Sequence, residues 1–378
     1  MAADARLEST PDDEEASRER IAALDRLVEH TQEHGPPERA LAAAEESALL
    51  RRAALARAPD DPERLRDLAA ILRTVGDLHR EHKAPARALP VYEEALRCSR
   101  RIVEIDPDAP EGPWQVSLSL NRFGLALDEL DQGDAAFAAH SESVAIARRC
   151  AALDPGGSRW QSGLASDLHN LGWMLESRGR PEEARETLGE GVQIRRDLAA
   201  REPDDPDLLR ELVLALDDLG DRHGLRGELD AALAAHQEAM QCARRLAAAA
   251  PRQRSDLAVS ASKLARVFLR RKELDGVLTA CEEGILCAHG LVDPPTDRPR
   301  FLASFCRLLH LASEDLGDRP SFDADDDDAP PAPVDPALYR LEAMLTALAA
   351  DLDACERTND ADTARSSAEW VRRVISRL

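Results

Sequence analysis

Two histidine pairs have spacings that suggest chemistry. His30 and His34 stand four residues apart and His79 and His82 three apart. On a helix either spacing puts both imidazoles on one face, where they could begin a metal site. No third and fourth ligand is spaced to complete such a site, so solvated helix ends account for both pairs. Asp217, Asp218 and Asp221 in LDDLGD lie along one helix with no opposing acid, which leaves paired acid–base catalysis without its second half. Asp323 and Asp325–Asp328 form a denser anionic run, but it lacks the loop glycine and closing Glu of a dedicated Ca²⁺ site; a solubilising linker explains it. The seven cysteines (98, 150, 242, 281, 287, 306, 355) show no CxxC spacing and fall on apolar helical positions, as buried thiols in a reducing compartment would. No GxSxG, no HExxH and no glycine-rich phosphate loop is present. The expectation is a chain with no catalytic centre, no cofactor and no metal.

The elements that carry these residues are helical. Apolar residues make up 43% of the 378, supplied mainly by Ala and Leu, and aromatics only 3%, so the β-branched and aromatic runs that mark strands are missing. The formal net charge of −23 repels phosphate backbones and anionic lipid, which argues against nucleic acid or a membrane surface as the partner. No stretch has the length and apolarity of a membrane span. The acidic start, MAADARLESTPDDEEAS, has no apolar run of the kind a secretory leader needs, so a cytoplasmic location is expected. Basic residues are almost all Arg, with Lys only at 83, 263 and 272, a bias that together with the Ala excess suggests a GC-rich bacterial genome.

The decisive pattern is a period of 48. Prolines stand at 59, 107, 155, 203, 251 and 299, leucines at 24, 72, 120, 168, 216 and 264, and alanines at 40, 88, 136, 184, 232 and 280. Glycines at 76, 124, 172 and 220 make a fourth column in the same register. Such a period marks an array of supersecondary units that bury their apolar faces on one another. Within one unit, Leu168, Leu171, Gly172 and Leu175 share a helix face, and the glycine is expected where a neighbouring helix approaches closely. Gly179 can end that helix in a left-handed conformation. Pro181, Glu182 and Glu183 then open a second, antiparallel helix, whose Ala184, Leu188 and Gly191 face back onto the first.

Leu168-x2-Leu171-Gly172-x2-Leu175, followed by Ala184-x3-Leu188 and Pro203, resembles the tetratricopeptide repeat, with Leu in place of its first and last aromatics. The unit is 48 residues rather than that family's 34. Seven extra residues in each helix, about two turns, keep the faces in phase. The resemblance covers roughly residues 16–298 and implies an all-α fold: an α-solenoid of helical hairpins in a right-handed superhelix. The expected organisation is a disordered acidic start over 1–15, about six repeats over 16–298 and the start of a seventh over 299–320. An acidic, Pro-rich linker over 321–335 and capping helices over 336–378 follow. The first of these, expected from Asp335-Pro336, carries Leu338, Leu341, Leu345, Leu348, Leu352 and Cys355 on one face.

Members of the resembled family bind peptides on the concave face lined by the first helix of each unit. Transferred by position, that face presents Arg73, Asn121, His169 and Asp217 in one column, Arg122, Asn170 and Asp218 in the next, and Leu125, Trp173 and Asp221 in a third. Asn121 and Asn170 could pair with an extended backbone. Trp173 could be an apolar anchor, although packing against the neighbouring long helices would explain it equally well. The lysine–asparagine clamp of co-chaperone repeats is missing, and Asp217, Asp218 and Asp221 suit a basic end on the ligand. The expected function is a non-catalytic adaptor or scaffold for another protein, such as a separately encoded signalling or effector protein. The alternative is a structural scaffold that self-associates through its C-terminal helices, with the groove unused.

Overall fold

The structure, a computed structural model, describes residues 11–34, 36–107, 109, 111–250, 253–289, 297–317, 335–355 and 357–375. The chain divides into two compact units, residues 1–194 and 195–378. Unit 1 contains α1 (Pro11–His34), α2 (Pro37–Arg57), α3 (Pro62–Glu81), α4 (Pro85–Ile105), α5 (Glu111–Glu129), α6 (Gly133–Leu153) and α7 (Ser158–Ser177). The boundary falls within α8 (Pro181–Arg201). Unit 2 contains α9 (Pro206–Leu225), α10 (Leu229–Ala249), α11 (Arg254–Arg270), α12 (Leu274–His289), α13 (Asp297–Gly317), α14 (Pro336–Ala354) and α15 (Thr358–Ile375). Among the described residues the chain is all-α, with no strand. Within each unit, consecutive helices pack as hairpins, and each hairpin packs on the next, the α-solenoid arrangement. α1 begins at Pro11, so part of the segment expected to be disordered is helical; residues 318–334, with the Asp run, lie outside the described residues.

Five of the hairpins each turn on one left-handed residue. In unit 1 these are Lys83 (φ 57°), Asp131 (φ 56°) and Gly179 (φ 71°); in unit 2 they are Gly227 (φ 80°) and Lys272 (φ 60°). Gly179 therefore ends its helix as its sequence predicts, while Lys83, Asp131 and Lys272 adopt the same conformation against the preference of an L side chain. Three helices, α3, α9 and α14, open on Asp-Pro. Asp61 accepts from the Glu63 and Arg64 amides, Asp205 from Asp207 and Leu208, and Asp335 from Ala337, while the following proline supplies no amide that needs a partner.

The repeated leucines are the core. Leu72, Leu120, Leu168 and Leu216 are 0–2% exposed, each burial stabilising by roughly 2 kcal/mol. The glycine column explains how the long helices come so close. A β-carbon on Gly124 would meet the His140 ring at 2.7 Å, one on Gly172 would meet Leu188 at 2.5 Å, and one on Gly220 would meet His236 at 2.6 Å. Gly76 is matched in the same way by Tyr92. The large partner always stands sixteen residues on, across the hairpin. At the same two columns the first hairpin carries Val28 and Ala44 instead, so a larger residue on one side goes with a smaller one on the other.

The 48-residue step shortens at α11. Lys272 follows Gly227 by 45 residues and α12 starts 45 after α10, because α11, at 17 residues, is three shorter than α9, at 20. The structural counterparts of Leu216, Gly220, Ala232 and His236 are therefore Ala261, Ala265, Val277 and Cys281, all 0–1% exposed. Leu264 and Ala280, which keep the arithmetic period, stand one position set further along. A slip of three keeps a residue near the same helix face, which is why the sequence pattern does not reveal it.

The second helices are joined by a ladder of ion pairs. In unit 1 the rungs are Arg52–Glu94 (2.7 Å), Arg100–Glu142 (3.1 Å) and Arg148–Glu190 (2.5 Å). In unit 2 they are Arg196–Glu238 (2.7 Å), Arg244–Glu283 (2.6 Å) and His289–Asp351 (3.1 Å). The last rung places α14 in the row of second helices, and Arg340 on α14 reinforces it through Asp275 and Glu282 of α12. α15 then covers α13 and α14, with the Ser367 hydroxyl 2.7 Å from Nδ1 of His310. As expected from sequence, Leu338, Leu341, Leu345, Leu348 and Leu352 are buried; Cys355 is only half-buried, as is Cys287, while the other five thiols are buried.

Candidate protein-binding face

On the first helices of unit 1, the candidate residues divide into a buried polar layer and an exposed row. Asn121 belongs to the buried layer: it is 5% exposed, and its amide donates to Asp167 on α7. Asp167 also accepts from Ser117 (2.8 Å) and Ser143 (2.6 Å). Burial pushes its carboxyl up to about 6, against the opposing pull of those three donors. Arg73 is directed into the same layer, donating to Ser119 (3.2 Å) and Gln115 (3.0 Å), and burial lowers its pKa to about 10. Arg122 bridges the layers, donating to Asn121 and to Asp77, which also accepts from the Tyr92 hydroxyl at 2.6 Å. These groups satisfy one another between helices. The expectation that Asn121 presents its amide to a ligand is corrected by its burial.

Asp167, Ser117 and Ser143 were not recognised as site-forming from sequence. A signal existed, since Asp167 occupies a column filled elsewhere by Ile71, Ser119 and Ala215, and Ser143 one filled by Ser47, Ala95, Gly191 and Ala239. A carboxylate in a column otherwise held by small or apolar residues must find donors inside.

The exposed row follows. Trp173 on α7 is 53% exposed, so it does not fill the core. Leu125, one repeat earlier on α5, is half-buried, as are His169, Asn170 and the guanidinium of Arg122. Unit 1 thus presents an indole and a leucine at matching positions of successive hairpins, bordered by an amide, an imidazole and an arginine.

Unit 2 departs from the expected acidic surface. Asp217 is 2% exposed, 3.0 Å from Nδ1 of His236, and accepts from Ser260 at 2.8 Å. Asp218 accepts from Arg222 at 2.8 Å. Asp221 meets Lys263 at 2.7 Å and Arg266 at 3.8 Å, both from α11. The three carboxylates that suggested a basic ligand are already paired, two of them by residues outside their own helix.

His79 is likewise not a solvated helix end: it is 7% exposed, with Nε2 3.4 Å from Glu45. Among the described residues no group of three or more His, Cys, Asp or Glu could hold a metal ion, and no helix is long and apolar enough to cross a membrane.

Residues 164–207 and 212–248, within α7–α8 and α9–α10, match the family described as tetratricopeptide repeat, so these two hairpins carry tetratricopeptide repeats. Among solved structures it is similar to BtubC (BKLC) from P. vanneervenii, at 16% identity and a TM-score of 0.48, over 72% of this chain and 91% of that one. It is also similar to the apo form of the quorum sensor NprR from B. thuringiensis, at 14% identity and a TM-score of 0.45, over 94% and 87%. PilF of Pseudomonas aeruginosa aligns over 76% of this chain and 99% of its own, at 16% identity and a TM-score of 0.37. A search of curated proteins finds no match.

Proposed function

We propose that the chain is a non-catalytic scaffold that captures a segment of another protein on the first-helix face of unit 1. The observation that carries this reading is Trp173. Of the four tryptophans it is the one left exposed, at 53%, and it stands one repeat from half-buried Leu125 in the same column. A rigid aromatic on a preformed helical face supplies contact area at low entropic cost, the property of an interface anchor. Asn170 and Arg122 beside it can hydrogen-bond the backbone or acidic groups of the bound segment. The presence of tetratricopeptide repeats supports a protein ligand. The pairing of Asp217, Asp218 and Asp221 removes the reason to expect a basic one.

The test is capture of a partner from lysate by the tagged full chain, compared with W173A/N170A. Loss of a stoichiometric partner with an unchanged melting temperature supports the face as the binding surface. Undiminished capture, or a large fall in melting temperature, overturns the assignment. Recovery of the protein only as its own oligomer, abolished by truncation after Gly317, would favour the self-associating scaffold instead.

A further inference from the structure

Hairpins α5–α6 and α9–α10 carry the same buried histidine in two ring positions. His140 on α6 and His236 on α10 share a column, and each ring lies on the glycine of the facing helix, Gly124 or Gly220. The atoms of His236 nearest a β-carbon on Gly220 are Nε2, Cε1 and Cδ2, which leaves Nδ1 on the opposite edge, 3.0 Å from Oδ1 of Asp217. Against Gly124 they are Cε1, Nε2 and Nδ1 of His140, and that Nδ1 is buried with no hydrogen-bond partner among the described residues. A half-turn about the bond from Cβ to the ring exchanges Nδ1 with Cδ2 and Cε1 with Nε2, which converts one arrangement into the other.

The residue that would meet the turned ring is Asn121, in the column of Asp217. The two side chains are held alike. Oδ2 of Asp217 accepts from Ser260 on α11, the next first helix, and Nδ2 of Asn121 donates to Asp167 on α7, the next first helix in its own unit. The atom left toward the histidine is therefore Oδ1 in both. On α9 it takes Nδ1 of His236; on α5 it accepts from Nη1 of Arg122 at 3.3 Å. The column of Arg122 holds Asp218 on α9, which accepts from Arg222 and offers Asp217 no donor. Asp221, 3.6 Å from Nε2, also holds His236; its column in α5 carries Leu125, so a turned His140 would be held by Asn121 alone.

We propose that His140 and Arg122 compete for Oδ1 of Asn121, and that the ring turns to donate Nδ1–H there when Arg122 leaves Asn121 for a bound segment. Asp167 keeps Nδ2 of Asn121 in place, so the amide does not rotate and one oxygen is offered to either donor. The Arg122 side chain is 42% exposed and can swing outward about its other contact, Asp77 at 3.1 Å. His140, 1% exposed, can respond only by turning, which gives Nδ1 the partner it lacks and offsets the bond that Arg122 gives up. The ring stays neutral throughout. With Nδ1 bare the proton is on Nε2; the turned ring carries it on Nδ1, the proton being given up to water and taken back from it. Engagement of the exposed row is thereby registered on α6, a second helix behind it. The inference rests on the protein-binding reading for what draws Arg122 away; the exchange itself uses only Asn121, Arg122 and His140.

The experiment is NMR of the full chain labelled with 15N-histidine at neutral pH, with His140 assigned by the signals missing from H140L. The ring nitrogens report which tautomer is present. The parent is expected to show His140 protonated on Nε2. R122M removes the competing donor and should convert most of the His140 signal to the Nδ1–H form. T74E sets a second carboxylate one turn from Asp77 on α3, to draw the guanidinium from Asn121 with Arg122 still present, and should shift the signal the same way. An Nδ1–H ring already in the parent, or an Nε2–H ring retained in R122M, overturns the proposal. Where R122M melts well below the parent, T74E decides by the same criterion. Failure here with W173A/N170A-sensitive capture intact refutes the exchange alone, and loss of that capture reading leaves the tautomer test standing.

Discussion

The His140 imidazole lies against the backbone of Gly124, with Cε1 2.7 Å from the point where a β-carbon on that glycine would stand. The same relationship links Gly220 with His236, and Gly172 with Leu188, across their hairpins. Helix packing therefore depends on size matching at one pair of columns, and that dependence can be tested by overfilling it.

Gly124→Ala should destabilise unit 1 by about 1–3 kcal/mol, the typical cost of overpacking, even though alanine is the better helix former by roughly 1 kcal/mol. Adding His140→Ala should recover part of that loss, a coupling that chemical denaturation of the two single variants and the double variant would measure. Additive losses would show that the helices are not held at this distance by the glycine–imidazole pair.

His140 also sets a pH dependence. It is 1% exposed, Nδ1 has no hydrogen-bond partner, and burial lowers its pKa from the usual imidazole range to about 4. The folded state therefore holds it neutral while the unfolded chain binds a proton below about pH 6.5. Its contribution is complete above that pH and is lost as pH falls toward 4. His140→Leu, copying Leu188 at the same column, should flatten the fall in melting temperature between pH 6.5 and 4. An unchanged acid limb would rule out this histidine as a source.

Asp167 acts with the opposite sign. Its folded pKa of about 6 lies above the unfolded value, so holding it ionised weakens the fold above pH 6, and the cost fades as pH falls through 6 toward 4. Asp167→Asn keeps an acceptor for Asn121 and removes the charge. Its melting temperature relative to the parent should be highest above pH 6 and decline toward pH 4. A difference that does not vary with pH would show that the buried carboxylate is not ionised at neutrality.

The hairpin turns make a stability prediction of their own. Asp131→Gly and Lys83→Gly place glycine where φ is already 56° and 57°, so each should stabilise by about 0.5–1 kcal/mol, the relief of strain less the added freedom of the unfolded chain. Gly179→Ala should do the reverse. Urea midpoints at constant m-value test all three.

The rungs between second helices should contribute little singly. A double-mutant cycle on Arg148 and Glu190, whose side chains are 52% and 41% exposed, should give a coupling of about 0.2–1 kcal/mol that shrinks at high salt. A larger, salt-independent coupling would show that the ladder holds the second helices in register.

Sequence alone determined the hairpin architecture, because burial imposes periodicity. The Leu72, Leu120, Leu168 and Leu216 column must face inward in every unit, and Gly179 and Asp335-Pro336 carry their turn and cap chemistry in their own backbones. Column arithmetic could not decide which polar residues face water. Asn121 and Asn170 stand in adjacent columns of the same expected face, yet Asp167 of the next hairpin draws Asn121 into a buried layer while Asn170 is half-buried. Asp221 looked acidic until Lys263 and Arg266, forty-odd residues away, were folded against it. The three-residue shortening of α11 was hidden for the same reason, since one helix face tolerates it and the turn at Lys272 registers it. Local periodicity follows from backbone geometry and the need to bury apolar surface. The sign and exposure of a surface depend on pairings between distant helices, and those exist only once the helices are packed.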